Sequence, residues 1–120
     1  MPFREALRGI VENVEGALGA TIMGYDGIAI DEYLKDEDGM DLRLVAVEYA
    51  TVVKEVKRAA DVLATGAMEE LAVNTAACRV IVRIINDDFF LILTLGLEGN
   101  FGKGRYLLRR EAPALRESLS

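Results

Sequence analysis

Apolar residues recur every three or four positions at the start of the chain, with charged residues between them. This is the spacing of an α-helix with one buried face, so the pattern predicts an amphipathic helix over residues 3–16, closed by Gly16 and Gly19. The repeating apolar positions are Phe3, Leu7, Ile10 and Val14.

The next segment reads ATIMGYDGIAIDEYL, in which two apolar runs flank the pair Asp26-Gly27. An Asp-Gly pair readily adopts the positive φ angles of a tight turn, so this segment predicts a β-hairpin. The polar stretch KDEDGMD, residues 35–41, follows as a loop.

The longest helical pattern covers residues 42–65, with Asp41 as the expected N-cap and Gly66 as the expected stop. Three runs rich in β-branched and aromatic residues follow, separated by short polar turns, and they predict three strands of a meander. A basic helix begins at about Gly102, and Pro113 is expected to break or kink it. The strand sequences are MEELAVNTA, CRVIVRIIN and FFLILTLG.

The element order is therefore α-β-β-α-β-β-β-α, without an internal repeat or a linker. Elements in this order pack as helices on an antiparallel sheet. The sequence predicts one α+β domain over residues 1–120, a five-stranded antiparallel sheet with helices on both faces.

The central helix carries more apolar surface than one side of a sheet can bury. Seven apolar positions alternate in steps of three and four, and Leu44, Val47 and Ala50 add apolar surface on another side. We therefore expect a homodimer in which this helix packs against its copy; the alternative is a helix wholly covered by its own domain. The seven positions are Leu42, Val45, Tyr49, Val52, Val56, Ala59 and Leu63.

The strand after this helix, Glu69–Ala76, has few large apolar residues and alternates poorly, which is typical of an edge strand. Two such edges meeting on a twofold axis would form one continuous sheet across the dimer. The expected dimer contacts are Leu42, Val45, Tyr49, Val52, Val56, Leu71 and Val73.

The net charge of −6 argues against a protein that binds nucleic acid through its phosphates. The charge is also uneven: residues 1–41 are acidic and residues 101–120 are basic, which suits a protein partner. A single cysteine, Cys78, fits a reducing compartment, and no apolar run is long enough to span a membrane. We therefore expect a cytoplasmic protein without membrane insertion and without a signal peptide.

Two stretches imitate ligand-binding loops. The loop Gly99–Gly104 contains Gly-Lys-Gly, but it lacks both the first glycine and the final hydroxyl of a phosphate-binding loop. The stretch Asp36–Asp41 is dense in carboxylates, but Val47 occupies the position where an EF-hand needs a bidentate Glu. The chain also has no histidine, and its residues assemble no catalytic, metal or cofactor site, so we expect neither an enzyme nor a cofactor.

The element order, together with GALGATIMGYDGIAI and GNFGKGRYLLRREAPAL, resembles the Roadblock/dynein light-chain family. Asp26-Gly27, Asn100-Phe101-Gly102 and the run Leu107–Arg110 match the family pattern in the expected places. The resemblance covers nearly the whole chain and is to the bacterial or archaeal single-domain type, similar to the gliding-motility GTPase regulator.

The resemblance implies dimers formed through the central helix and the following strand, with one sheet shared by both subunits. It implies a scaffold or regulator without enzymatic activity, whose partner is a small Ras-like GTPase. We expect the GTPase contact near the charged half of the central helix, at Lys54, Lys57, Arg58 and Asp61. The alternative hypothesis is a small-molecule sensor with a pocket between sheet and helices, for which the candidate polar residues are Tyr25, Tyr33 and Arg83.

Overall fold

The computed structural model describes residues 3–35 and 40–120, and within these ranges it contains three helices and five strands. Their order is the predicted one. Most of the carboxylate-rich stretch Asp36–Asp41 lies outside the described residues. The elements are α1 (Phe3–Asn13), β1 (Ala17–Gly24), β2 (Ala29–Leu34), α2 (Leu42–Leu63), β3 (Glu70–Asn74), β4 (Arg79–Ile84), β5 (Phe89–Leu95) and α3 (Phe101–Leu119).

The five strands form one antiparallel sheet in the order β2-β1-β5-β4-β3, which confirms the predicted fold class. β3 lies at one edge, as its sequence predicted, and β2 lies at the other. One row of paired residues crosses the whole sheet and is apolar in the middle and charged at both ends. From one edge to the other it consists of Asp31, Ile22, Leu91, Arg83 and Glu70.

The sheet has a separate hydrophobic core on each face, and β5 contributes to both because successive side chains on a strand point to opposite sides. Leu91, Leu93 and Leu95 pack under α1 and α3, whereas Phe90 and Ile92 pack under α2. Two helices thus cover one face of the sheet and a single helix covers the other.

α2 begins at a capped residue, since the Asp41 carboxylate accepts a hydrogen bond from the backbone N–H of Leu44 at 3.0 Å. The helix ends at Leu63, two residues earlier than expected. The residue that turns the chain is Ala64, in the left-handed conformation with φ of 54°, and Gly66 follows with φ of 98°. The expected stop at Gly66 was therefore two residues late.

Three further sequence expectations were wrong in detail. α1 ends at Asn13 rather than residue 16, and Gly19 lies inside β1, where a Cβ atom would be 2.7 Å from Leu34 Cδ2. Pro113 does not break α3, which continues to Leu119. Buried residues on both sides of the proline, Leu108 and Leu115, hold the helix on the sheet, and this packing outweighs the lost backbone hydrogen bond.

Candidate interaction surfaces

The apolar seam predicted on α2 is not the stripe that the helix buries against its own sheet. The buried residues are Leu42, Ala46, Ala50 and Val53, and only Leu42 also belongs to the seam. At 100° per residue, the seam is rotated around the helix axis by roughly 90° from the buried stripe. Two of the four residues that face the sheet are alanines, and most of the larger residues of the seam lie on the flank of the helix.

We call the seven predicted dimer contacts the α2–β3 face. On α2, Leu42 is buried, Val45, Tyr49 and Val56 are half-buried, and Val52 is 42% exposed; on β3, Leu71 and Val73 are half-buried. Val45, Tyr49, Leu71 and Val73 all pack against the core under α2. The structure thus brings residues of the helix and of the edge strand to one core, where they remain partly exposed. Leu42 is the exception, since its side chain lies near Gly19 and Leu34 on the β1–β2 side.

The opposite flank of α2 also exposes apolar side chains. Leu44 is 53% exposed and Val47 44%, while Ile28 and Ile30, near the start of β2, are 64% and 44% exposed. A cavity of about 180 Å³ lies between α2 and the β1–β2 hairpin, with the Glu32–Arg43 hydrogen bond of 2.7 Å beside it. Pockets for small molecules usually measure ~300–1,000 Å³, so this cavity is small for a metabolite.

The three residues proposed for a sensor pocket do not converge. Tyr33 packs on the α1 side of the sheet and donates a hydrogen bond to Glu12 at 3.2 Å. Tyr25 packs on the α2 side, and Arg83 lies near the far edge, paired with Glu70 across β3 and β4. Tyr33 and Tyr25 thus lie on opposite faces of the sheet, and Tyr25 and Arg83 line different cavities.

The four residues proposed to contact a GTPase do lie together. Lys54, Lys57, Arg58 and Asp61 line one open hollow of about 270 Å³, together with Tyr25 and Asp87. The Lys57 ammonium is 3.7 Å from the Asp87 carboxylate, 3.9 Å from Asp61 and 5.7 Å from the centre of the Tyr25 ring. We call these six residues the charged hollow. Both signs of charge are present, so it suits a protein surface rather than a single anion.

Tyr25 and Asp87 were missing from the predicted contact set. They belong to the β1–β2 and β4–β5 turns, which meet at one end of the sheet because β5 lies between β1 and β4. The Tyr25 hydroxyl donates to the carbonyl of Asn86 at 3.1 Å, and its ring packs 5.4 Å from that of Phe90. Burial, and next the carboxylates of Asp87 and Asp88, raise the pKa of Tyr25 to about 12.

Two glycines of the loop Gly99–Gly104 allow neighbouring parts of the chain to pack closely. The Cα atom of Gly99 lies 2.4 Å from the position of a Cβ atom on Gly16, so two backbone segments touch there. A Cβ atom on Gly104 would be 3.0 Å from Leu93 Cδ2, so this residue lets α3 lie close to the sheet. Asn100 caps the helix by accepting a hydrogen bond from the N–H of Lys103 at 3.1 Å.

The remaining residues that could carry chemistry are Cys78 and the acidic side chains. Cys78 is buried and lies next to the hydroxyl of Thr75. Over residues 3–35 and 40–120, no group of three or more acidic or cysteine side chains is placed to hold a metal ion. In the same ranges, no helix combines the length and the apolar character needed to cross a membrane.

Solved structures with the same fold cover nearly the whole chain. MglC from Myxococcus xanthus is 44% identical in sequence, with 98% of this chain and 99% of that chain aligned and a TM-score of 0.72. The Roadblock/LC7 domain from Streptomyces avermitilis is 16% identical over 96% of this chain and 95% of its own, with a TM-score of 0.80. The gliding protein MglB from Thermus thermophilus is 17% identical over 95% and 85%, with a TM-score of 0.82. No family model matches the chain, and a comparison with curated proteins found no match.

The raised pKa of Tyr25 predicts a loss of stability in alkali. The unfolded chain releases this proton near the ordinary pKa of 10.0, whereas the folded chain holds it up to about 12. The stabilising contribution is therefore complete below pH 10 and is lost as the pH rises towards 12. In Tyr25→Phe, we expect a shallower decline of unfolding free energy over this interval, measured by urea denaturation.

Tyr25→Phe also removes the hydrogen bond to Asn86, so its stability at neutral pH should fall by about 1 kcal/mol. An alkaline decline as steep as that of the unaltered protein would show that Tyr25 is not the group responsible.

Proposed function

The chain belongs to the Roadblock/LC7 family, a family of regulatory and adaptor proteins, and on that premise we propose that it is a homodimeric adaptor without enzymatic activity that binds a small Ras-like GTPase through the α2 region. The observation that carries this proposal is the α2–β3 face, an apolar surface that its own domain leaves partly open. Such an adaptor would position the GTPase and would thereby regulate its hydrolysis of GTP.

Dimerisation would bury the large side chains of the α2–β3 face. Val52 of this face is 42% exposed. Leu63 lies outside the seven residues but on the same flank of the helix, and it is 69% exposed. Burying apolar surface stabilises association by ~25 cal/mol per Å² before the costs of ordering are subtracted. A second copy related by a twofold axis presents the same face, so the same residues form the interface on both subunits.

The edge strand offers the backbone groups needed to continue the sheet. Glu69 and Thr75 both hydrogen-bond to the β4 side, through Ile84 and Cys78. Along an antiparallel edge strand, the backbone groups of successive residues point alternately to the neighbouring strand and away from it. Ala72 is three residues from both Glu69 and Thr75, so its N–H and C=O groups point to the free edge. A second β3 strand can pair with them, which supports a sheet shared by both subunits.

The charged hollow is the proposed contact for the GTPase. It lies at the end of α2 where four residues of the helix meet two turns of the sheet. Most of its side chains are exposed, and only Lys57 is held by two carboxylates, those of Asp61 and Asp87. Charged groups arranged around a half-buried tyrosine are typical of the polar rim and aromatic anchor of a protein interface.

Val52→Glu should convert the dimer into a monomer, because it would bury an unpaired carboxylate at the centre of the α2–β3 face. We expect the dissociation constant to rise at least ~100-fold, measured by analytical ultracentrifugation over a range of concentrations. Val62→Glu is the matched control, since Val62 is 71% exposed on the same helix but on another side of it. Equal effects of both substitutions, or a monomer before any substitution, would contradict the proposed interface.

Ala72→Pro tests the shared sheet separately. Proline removes an N–H that points to the free edge, and edge positions of this kind tolerate it. We expect dimer dissociation to increase about tenfold or more while the thermal stability of the isolated subunit changes little. Dimerisation unaffected by Ala72→Pro but abolished by Val52→Glu would indicate a dimer held by helices alone.

Arg58→Glu should weaken capture of the GTPase, because Arg58 lines the charged hollow. The tagged protein would be exposed to a lysate of its own cells with a GTP analogue or with GDP, and captured Ras-like GTPases would be quantified by mass spectrometry. We expect nucleotide-dependent capture that falls about fivefold or more. Arg8→Glu on α1 is the control, because Arg8 is also exposed and also paired with a Glu on its own helix.

The outcomes of this capture experiment separate three interpretations. Nucleotide-dependent capture that only Arg58→Glu weakens supports the GTPase contact. Nucleotide-insensitive capture of other proteins would leave a scaffold, and failure to capture any Ras-like GTPase by a folded dimer would refute the GTPase part of the proposal.

A further inference from the structure

A second polar surface lies on the opposite face of the sheet from α2. Six residues line a groove between the β3–β4 edge and α3: Glu70, Arg83, Gly102, Arg105, Tyr106 and Arg109. We call it the arginine groove. The four residues from α3 are spaced by three, one and three positions, so they share one face of the helix. Gly102 begins that face, and its missing side chain leaves the end of the groove open.

The groove exists because α3 stops short of the edge strand. Glu70 and Arg83 end the row of residues that crosses the sheet, and the middle of that row, Leu91 and Ile22, is buried under the helices. Beyond α3 on this face, β3 presents Ala72 and Asn74, which are both exposed. The groove is thus a polar margin of the sheet beside a basic helix.

The groove is positively charged in a chain whose net charge is −6. It contains three arginines and one glutamate. Glu70 is fully used by Arg105, whose guanidinium donates to both carboxylate oxygens at 2.8–3.1 Å. In the part of the chain that the structure describes, no carboxylate lies within ion-pair distance of Arg83 or Arg109.

A guanidinium group without an ion-pair partner preferentially binds planar anions such as carboxylates. The guanidinium fork donates two parallel hydrogen bonds to a carboxylate, which a lysine cannot do. Arg83 is only half-exposed, so its charge is less screened by water than that of a fully exposed arginine. Arg83 and Arg109 therefore form a site prepared for acidic groups, next to an arginine that is already paired.

The size of the groove favours side chains over a metabolite. Its volume of about 130 Å³ accommodates carboxylate groups but is small compared with the ~300–1,000 Å³ of small-molecule pockets. Tyr106, 51% exposed, adds an aromatic surface beside the arginines. Tyrosine and arginine are the residues that most often carry the energy of protein–protein contacts.

We propose that the arginine groove binds an acidic segment of a protein, whose Glu or Asp side chains pair with Arg83 and Arg109. This surface shares none of its lining residues with the α2–β3 face or with the charged hollow, although Glu70 belongs to the same edge strand as Leu71 and Val73. A nucleic acid is the less favourable occupant, because its affinity depends on the number of phosphates that are neutralised and this groove offers two arginines that are unpaired among the described residues.

The test uses a fluorescent hexaglutamate peptide, with hexaglutamine as the uncharged control, and follows binding to the whole protein by fluorescence anisotropy at low salt. Arg109→Gln and Arg83→Gln should each weaken binding about tenfold. Lys103→Gln removes the same charge from an exposed position of α3 that does not line the groove, so it should change binding less than about twofold.

Arg83→Lys separates charge from geometry. It keeps the positive charge but loses the fork, so binding should weaken by about threefold. Circular dichroism on each variant confirms that the fold is intact. The proposal is supported if only the groove variants lose affinity.

Three results would overturn the proposal. Hexaglutamate could fail to bind at low salt, or Lys103→Gln could weaken binding as much as Arg109→Gln, which would show a response to net charge alone. Stronger binding of single-stranded DNA or of phosphatidylglycerol vesicles through the same arginines would assign the groove to a phosphate surface instead.

Discussion

A five-stranded sheet is wider than one helix, and this mismatch determines where the molecule remains open. Neighbouring strands are ~4.8 Å apart and a helix with its side chains is ~10–12 Å across, so α2 covers about half of the face on which it lies. It approaches through small residues, Ala46 and Ala50, and leaves its large apolar residues on both flanks. On the other face, α1 and α3 cover four strands and leave the margin at β3, where Glu70 and Arg83 end the row of residues that crosses the sheet.

The order and type of every element could be predicted from the sequence, because helical and strand periodicities are local properties. The errors occurred where a local rule competes with packing. Gly19 is a residue type that often ends a helix, but it lies within β1, where a Cβ atom would be 2.7 Å from Leu34 Cδ2 and 3.2 Å from Leu42 Cδ1. Pro113 is unfavourable inside a helix, yet buried leucines before and after it keep α3 continuous.

The candidate surfaces could be predicted only in part. The apolar seam of α2 was visible, because all its positions lie on one helix. The sequence did not reveal that Ala46 and Ala50, rather than Val45 and Tyr49, would face the sheet, since both sets fit a helical period. The charged hollow and the arginine groove each combine residues from elements far apart in the chain. The sequence indicated Arg83 only as a candidate for a sensor pocket, because its neighbours on α3 are brought to it by the tertiary fold.

Glu70 belongs to two surfaces at once, and this has a thermodynamic consequence. Its carboxylate ties β3 to Arg105 of α3, while the backbone of the same strand forms the free edge of the sheet. An acidic ligand that draws Arg105 away from Glu70 would change the free energy with which β3 is held in place. Linkage is reciprocal, so strand pairing at the edge would then alter the affinity of the groove by the same factor. One ion pair would thus couple the groove on one face of the sheet to the free edge of the sheet.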